Sequence, residues 1–209
     1  DRISKLKPDE IGFLRITAFK SKDNELPVTT DETIAEVQLN EALAPGETRE
    51  FHLGFKAQVP LQIRRSGRDN REGIDYSMTQ WYPKLCAFDE DGWHPNPYVG
   101  REFYGNWGSF DVKITIDKKY VLGGTGVLQN ALDIGHGYSR VRKKPRGRKA
   151  TWHFKADKVH DFAWAADPDY QHIVHQVPDG PILHLLYDKS VKNPEYWELL
   201  PYKLDTVWS

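Results

Sequence analysis

The chain is 209 residues long, with 39% hydrophobic and 28% charged residues and a formal net charge of −1 at pH 7. That supplies enough apolar side chain for a core, and the near-neutral balance excludes a general binder of nucleic acid or anionic membrane, which needs a basic surface. Apolar runs stay far below the roughly 20 residues of a helical membrane span, and a lone cysteine, Cys86, excludes an internal disulfide framework and a thiolate-rich zinc site.

Residues 1–10 are polar, turn at Pro8 and lack the basic-then-apolar pattern of a signal peptide. Gly12 to Lys20 predicts a strand with Phe13, Arg15, Thr17 and Phe19 on one side and Leu14, Ile16 and Ala18 on the other. Asp23 and Asn24 turn it. Thr33 to Leu39 predicts a second strand, and Ala44, Pro45 and Gly46 a turn. Glu50 to Val59 alternates, with Phe51, Leu53, Phe55, Ala57 and Val59 on one face. Strands spaced by about 12 residues belong to a sandwich or an extensive antiparallel sheet. Arg64 to Arg71 reads as a solvated basic loop in preference to an arginine cluster for a ligand.

Asp75 to Asn130 is the organising stretch, holding three of the seven tryptophans and the cysteine. Tyr76 to Tyr82 is aromatic and β-prone until Pro83 interrupts it. Asp89 to Gly108 is a long irregular connection carrying large aromatics, and such loops seldom serve only to connect. Phe110, Val112, Ile114 and Ile116 then alternate with Asp111, Lys113, Thr115 and Asp117, the clearest half-buried strand in the chain. Gly123, Gly124, Thr125 and Gly126 look like a phosphate loop but lack its Gly-Lys-Ser/Thr ending and a following helix, so a bulged strand or turn is predicted. Arg140 to Lys149 carries seven basic residues in ten; a nucleic-acid or headgroup patch is one reading, and Pro145 and Gly147 favour a solvated loop. Thr151 to Ala156, Asp161 to Ala166 and Ile182 to Tyr187 predict strands. Asn193 to Leu200 predicts a short helix capped by Asn193, with Pro194 in its first turn.

Catalytic patterns are scarce. A zinc peptidase needs HExxH, which is absent. His172 and His175 would share a face on a helix and point to opposite faces on a strand, with no acid between them. Asp89, Glu90 and Asp91 ahead of Gly92 read as a solvated turn and not as a carboxylate pair for glycoside chemistry. No serine sits in a G-x-S-x-G elbow, and Cys86 has no histidine nearby in sequence.

TQWYPKLCAFDEDGW followed by FDVKITIDKKYVLGGTGVLQN resembles the N-terminal β-domain of zinc metallopeptidases of the aminopeptidase N type, the M1 family. Thr79 and Gln80, Cys86, Phe88 to Glu90 and Phe110 to Ile116 stand in the family's order. TWHFKADKVHDFAWAADPDY is similar to the later strands of that domain in a bacterial branch, so the resemblance runs from Gly54 to Tyr170. It implies an all-β fold, an antiparallel β-sandwich or saddle-shaped sheet forming a single domain over residues 1–209, truncated at both ends and lacking its catalytic domain. No cofactor is implied in this chain; zinc is expected in the missing catalytic domain. The implied partners are that catalytic domain and a peptide substrate, with no nucleic acid and no membrane span, in a periplasmic or extracellular setting.

In the family, the residue matching Gln80 and the one two further on lie at the edge of the active site and help hold the substrate's free amino terminus. The second is usually Glu or Gln and is Tyr82 here, whose phenol offers a neutral hydrogen bond about half as strong as a charge-assisted one. The expected function is therefore a non-catalytic N-terminal domain of an M1-like zinc metallopeptidase, supporting its catalytic domain and contributing to the pocket for the substrate N-terminus. Alone, the chain is expected to lack peptidase activity and stoichiometric zinc. Two alternatives stand beside it: a carbohydrate-binding β-sandwich using Trp81, Trp93, Tyr98, Tyr104 and Trp107 as stacking faces, and a protein-interaction module.

Overall fold

The structure, a computed structural model, describes residues 3–96, 105–140 and 146–208. Strands take 42% and helices 11% of them, and the ladders between strands run antiparallel. The fold is thus β-rich and built from several antiparallel sheets. No helix among the described residues is long and apolar enough to cross a membrane. The chain gathers into two compact units, Asp1–Pro60 with Trp81–Asn106 and Leu61–Gln80 with Trp107–Ser209.

The first unit is built on the pairing of Phe13–Ser21 with Phe51–Gln58. The sequence places Phe13 and Phe19 on one side and Ile16 on the other; the structure corrects this. A bulge between Ile16 and Ala18 shifts the register, so that Ile16 lies opposite Phe55 and Phe19 opposite Leu53. The extra residue restores the phase and puts Ile16 and Phe19 on the face shared by Leu53 and Phe55. Phe19 also meets Phe51, with ring centroids 5.4 Å apart. Gly54 gives the bulge room, since a Cβ there would lie 3.0 Å from Thr17 Oγ1. Two small hairpins complete the unit, Val28–Asp31 with Ile34–Val37 and Phe88–Asp89 with Gly92–Trp93. The second is the turn expected at Asp89: its Oδ1 accepts the Asp91 N–H at 3.0 Å and faces His94 Nε2 at 2.7 Å.

The second unit is organised by the alternating strand Gly108–Asp117, paired along its length with Lys149–Val159. Phe110, Val112, Ile114 and Ile116 lie opposite Ala156, Phe154, Trp152 and Ala150. That face is the core: Trp152 and Phe154 are fully buried, as are Leu122 and Phe162 from neighbouring segments. The other face is polar, with Thr115 and Thr151 bonded at 2.8 Å and Asp111 reaching His153 at 2.6 Å and Lys155 at 3.1 Å. These are the cross-strand pairs that stabilise an antiparallel ladder.

A four-stranded sheet runs Val121–Gly124, Trp164–Asp167, Tyr76–Met78, Gly67–Arg68. Buried Asp167 pins it, its carboxylate accepting the N–H of Asp75 at 3.0 Å and of Asp169 at 2.7 Å. A separate hairpin pairs Tyr170–Gln176 with Ile182–Asp188. The C-terminal helix, predicted to be short, runs over Pro194–Trp208 and passes through Pro201. Its less exposed positions, Trp197, Leu200, Pro201, Leu204 and Asp205, recur at helical spacing. They face the hairpin: the rings of Tyr187 and Trp197 stack at 5.1 Å, and His175 Nε2 lies 2.7 Å from Asp205 Oδ1.

Candidate functional site

A cavity of about 470 Å³ opens within the second unit, lined by the strand end Ser77, Met78 and Thr79, by Gly123, Gly124 and Gly126, and by Tyr138, Tyr170, His184 and Leu186, among others. Three glycines line it, and Gly126 is the one whose surroundings admit no side chain. A Cβ on Gly123 would sit 2.5 Å from Leu186 Cδ1, and one on Gly126, whose φ is +86°, would sit 2.2 Å from the Lys155 carbonyl oxygen. The glycine-rich run, read as a bulged strand or turn, is the strand Val121–Gly124 followed by a bend at Thr125 and Gly126. Gly123 and Gly124 pair with Ala165 and Trp164, while Thr125 exchanges hydrogen bonds with the backbone of Ala163.

The polar rim is delivered by a tight turn after the helix Ala131–Ile134. The Asn130 side chain anchors that turn to the long strand, donating to the Thr151 carbonyl at 2.8 Å and accepting the His153 N–H at 3.1 Å. Gly135, His136 and Gly137 then all take positive φ, turning the chain so that Tyr138 Oη donates to the Leu122 carbonyl at 3.0 Å. Burial pushes the Tyr138 phenol well above its usual range, so it acts as a donor and stays neutral. Tyr170 is likewise pushed up to about 12, chiefly by burial.

His172 and His184 meet beside Tyr138. His172 Nδ1 lies 2.9 Å from the His136 carbonyl oxygen, which can only accept, so Nδ1 carries the proton. His172 Nε2 is then the acceptor for the Nδ1–H of His184, also at 2.9 Å. Burial lowers the pKa of both rings; the His136 bond opposes this at His172, and the His172 charge adds to it at His184. The Tyr138 ring stacks on His184 at 4.7 Å and 22°. His94, His153 and His175 each face a carboxylate; His172 and His184 face each other.

His172 and His175 do point to opposite faces of a strand, as the odd spacing requires. The partner of His172 is instead His184, twelve residues on and across the hairpin, where sequence spacing carries no signal. A glycine on each side of His136 is the available clue: a Cβ on Gly137 would lie 2.7 Å from His172 Nδ1.

The two residues assigned by resemblance behave differently from the sequence reading. The strand ends at Met78, and Gln80 is exposed with φ +52°, so the period of two that would place Gln80 and Tyr82 on one face does not extend to them. Gln80 belongs to the second unit and follows Thr79, whose buried Oγ1 has no hydrogen-bond partner among the described residues. Tyr82 belongs to the first unit, where its ring meets Trp81 at 5.2 Å and lies 5.8 Å from Lys84 Nζ. Of the aromatics read as a stacking surface, Trp93 and Trp107 are exposed and Trp81 is half-buried, while Tyr98 and Tyr104 fall outside the described residues. Residues 141–145 of the basic run Arg140 to Lys149 also fall outside them. Among the described residues, no three His, Cys, Asp or Glu side chains converge on a common point. No protein family, no curated protein and no solved structure matches the chain.

Proposed function

We propose that the chain is a non-catalytic N-terminal β-domain of an M1-like zinc metallopeptidase, an antiparallel β-sandwich or saddle-shaped sheet whose Gln80 contributes to the pocket for a substrate's amino terminus. The reading rests on the ordered resemblance through Thr79, Gln80, Cys86, Phe88 to Glu90 and Phe110 to Ile116. The observation that carries it is the backbone at Gln80. A glutamine held at φ +52°, one residue after the cavity-lining Thr79, departs from ordinary L-residue geometry at a cost of about 1–2 kcal/mol, and such departures cluster at active sites and ligand clamps. An amide there can accept from an ammonium and donate to the adjoining peptide group together. The zinc and the catalytic residues belong to the catalytic domain that this reading places beyond the chain, and the parent protein sits in a periplasmic or extracellular setting.

Steady-state kinetics of the full-length protein test this. Gln80→Ala should reduce kcat/KM on peptides with a free amino terminus by about tenfold to a hundredfold and leave N-acetylated peptides unchanged. If the variant matches the parent on both substrates, the assignment fails. One observation favours a carbohydrate-binding module as the second reading: Phe88 and Trp93 are both exposed, with their rings 4.9 Å apart. Retention on a polysaccharide affinity gel that is lost in Trp93→Ala would favour it.

A further inference from the structure

We propose that the strand Gly108–Asp117 is a self-association edge, pairing antiparallel with the same strand of a second copy of the chain in the register that sets Asp111 opposite Lys113. The strand stands at one end of its three-stranded sheet and pairs with Lys149–Val159 on its inner side. Its backbone shows which groups are left over. The Lys118 N–H donates to the Arg148 carbonyl at 3.0 Å. Alternation along the ladder therefore turns the backbone groups of Val112, Ile114 and Ile116 towards the facing strand and those of Asp111, Lys113 and Thr115 outward. His153, opposite Lys113, turns its own the other way, to Gln129 and Asn130. Among the described residues, nothing is bonded to the outward backbone groups of Asp111, Lys113 and Thr115. The core face stops short at the same edge. Trp152 and Phe154 are fully buried, whereas Ile114 and Val112 opposite them stay only half-buried. A free row of donors and acceptors beside an apolar face is a template for another strand.

Charge complementarity selects the partner and the register. A lysine on an edge strand ordinarily opposes pairing. A two-fold axis normal to the sheet, passing between the two copies of Val112, sets Asp111 opposite Lys113 twice. Outward residues then meet outward residues, so both copies' backbone bonds are made. Ser109 falls opposite Thr115 on the wet face and Phe110 opposite Ile114 on the core face, so each copy covers the other's half-buried side chains. Neighbouring registers fail. An axis at Asp111 or at Lys113 sets a charge against itself, and one at Ile114 sets Asp111 against Asp117. An axis at Thr115 calls on Asp117, whose carbonyl already accepts the Tyr120 N–H at 3.1 Å. Pairing along one strand covers less than a standard interface of about 1,600 Å², so the dimer is reversible. This surface is independent of the peptidase reading.

Sedimentation velocity of the chain over a concentration series tests the proposal, with cysteine trapping to read the register. A monomer–dimer equilibrium is expected. Lys113→Glu, a change at an exposed position, should weaken it more than about tenfold, because the two-fold turns two attractive pairs into two repulsive ones. Thermal melting establishes that the variant is folded. In a Cys86→Ser chain, Val112→Cys brings two cysteines face to face with Cα atoms about 4.5 Å apart, within reach of a disulfide, and oxidation should yield a covalent dimer. Ile114→Cys in the same chain places them well beyond the roughly 7 Å limit and should not. A monomer at every concentration leaves the edge to some other partner and overturns the proposal. So does a dimer that persists in Lys113→Glu, which would lie on another face, or trapping that is equal at both positions.

Discussion

Gly126 ties one residue to the whole second unit. Its φ of +86° and the Lys155 carbonyl oxygen 2.2 Å from where a Cβ would stand admit no side chain, so Gly126→Ala should lower stability by about 1–3 kcal/mol. A urea midpoint equal to the parent's would contradict this. The histidine pair gives a pH dependence with a definite sign. Both folded-state pKa values lie below 6.5, so the unfolded chain binds protons more readily as pH falls through that value. The pair's contribution to stability is complete above pH 6.5 and declines as pH falls towards the folded-state pKa values. The melting temperature should drop from pH 7.5 to 5.5, and the drop should be smaller in His184→Leu. An equal drop in both proteins would remove the pair as its cause. At this scale the sequence is partly legible. It flags His172 and excludes its pairing with His175 on a strand, but the partner depends on hairpin register, which local spacing does not encode.

Elements differ in how plainly the sequence announces them. Gly108–Asp117 is readable because one face is buried and the other wet, so its period of two survives without interruption. Phe13–Ser21 is visible as a strand but takes the wrong phase, since a one-residue bulge reverses the faces beyond it without leaving a mark in composition. Tyr76–Met78 reads as too long because aromatic residues continue past the point where Gln80 turns the backbone. The C-terminal helix reads as too short, because a proline within a helical pattern ordinarily ends it. Here Pro201 is buried and the helix continues to Trp208, supported by the hairpin it covers. Two predictions belong to this scale. Trp152→Ala, which empties a fully buried site on the strand facing Ile114, should cost about 3–5 kcal/mol, read from a denaturant titration; a loss below about 1 kcal/mol, roughly a fivefold change in the folding equilibrium, would mean that the face is not the core. Trp197→Ala removes the stack on Tyr187 and should speed hydrogen exchange across residues 194–208 while leaving the Gly108–Asp117 strand protected. Unchanged exchange in the helix would show that the stack does not hold it.

For the whole molecule, the antiparallel β-rich class is legible from alternation and turn spacing. The division into two units is not, because each unit is assembled from two stretches distant in sequence. Function stands on narrower ground: the ordered resemblance and the backbone at Gln80. The proposal that this β-rich chain serves an M1-like peptidase therefore turns on whether a catalytic domain is joined to it in the native protein. Intact-mass and peptide-sequencing mass spectrometry of the protein isolated from its source tests this most directly. The account predicts a mass well above 24.2 kDa and peptides that continue past Ser209 into an HExxH segment with a third zinc ligand beyond it. A mature protein that ends near Ser209, or one that continues without HExxH, would contradict it.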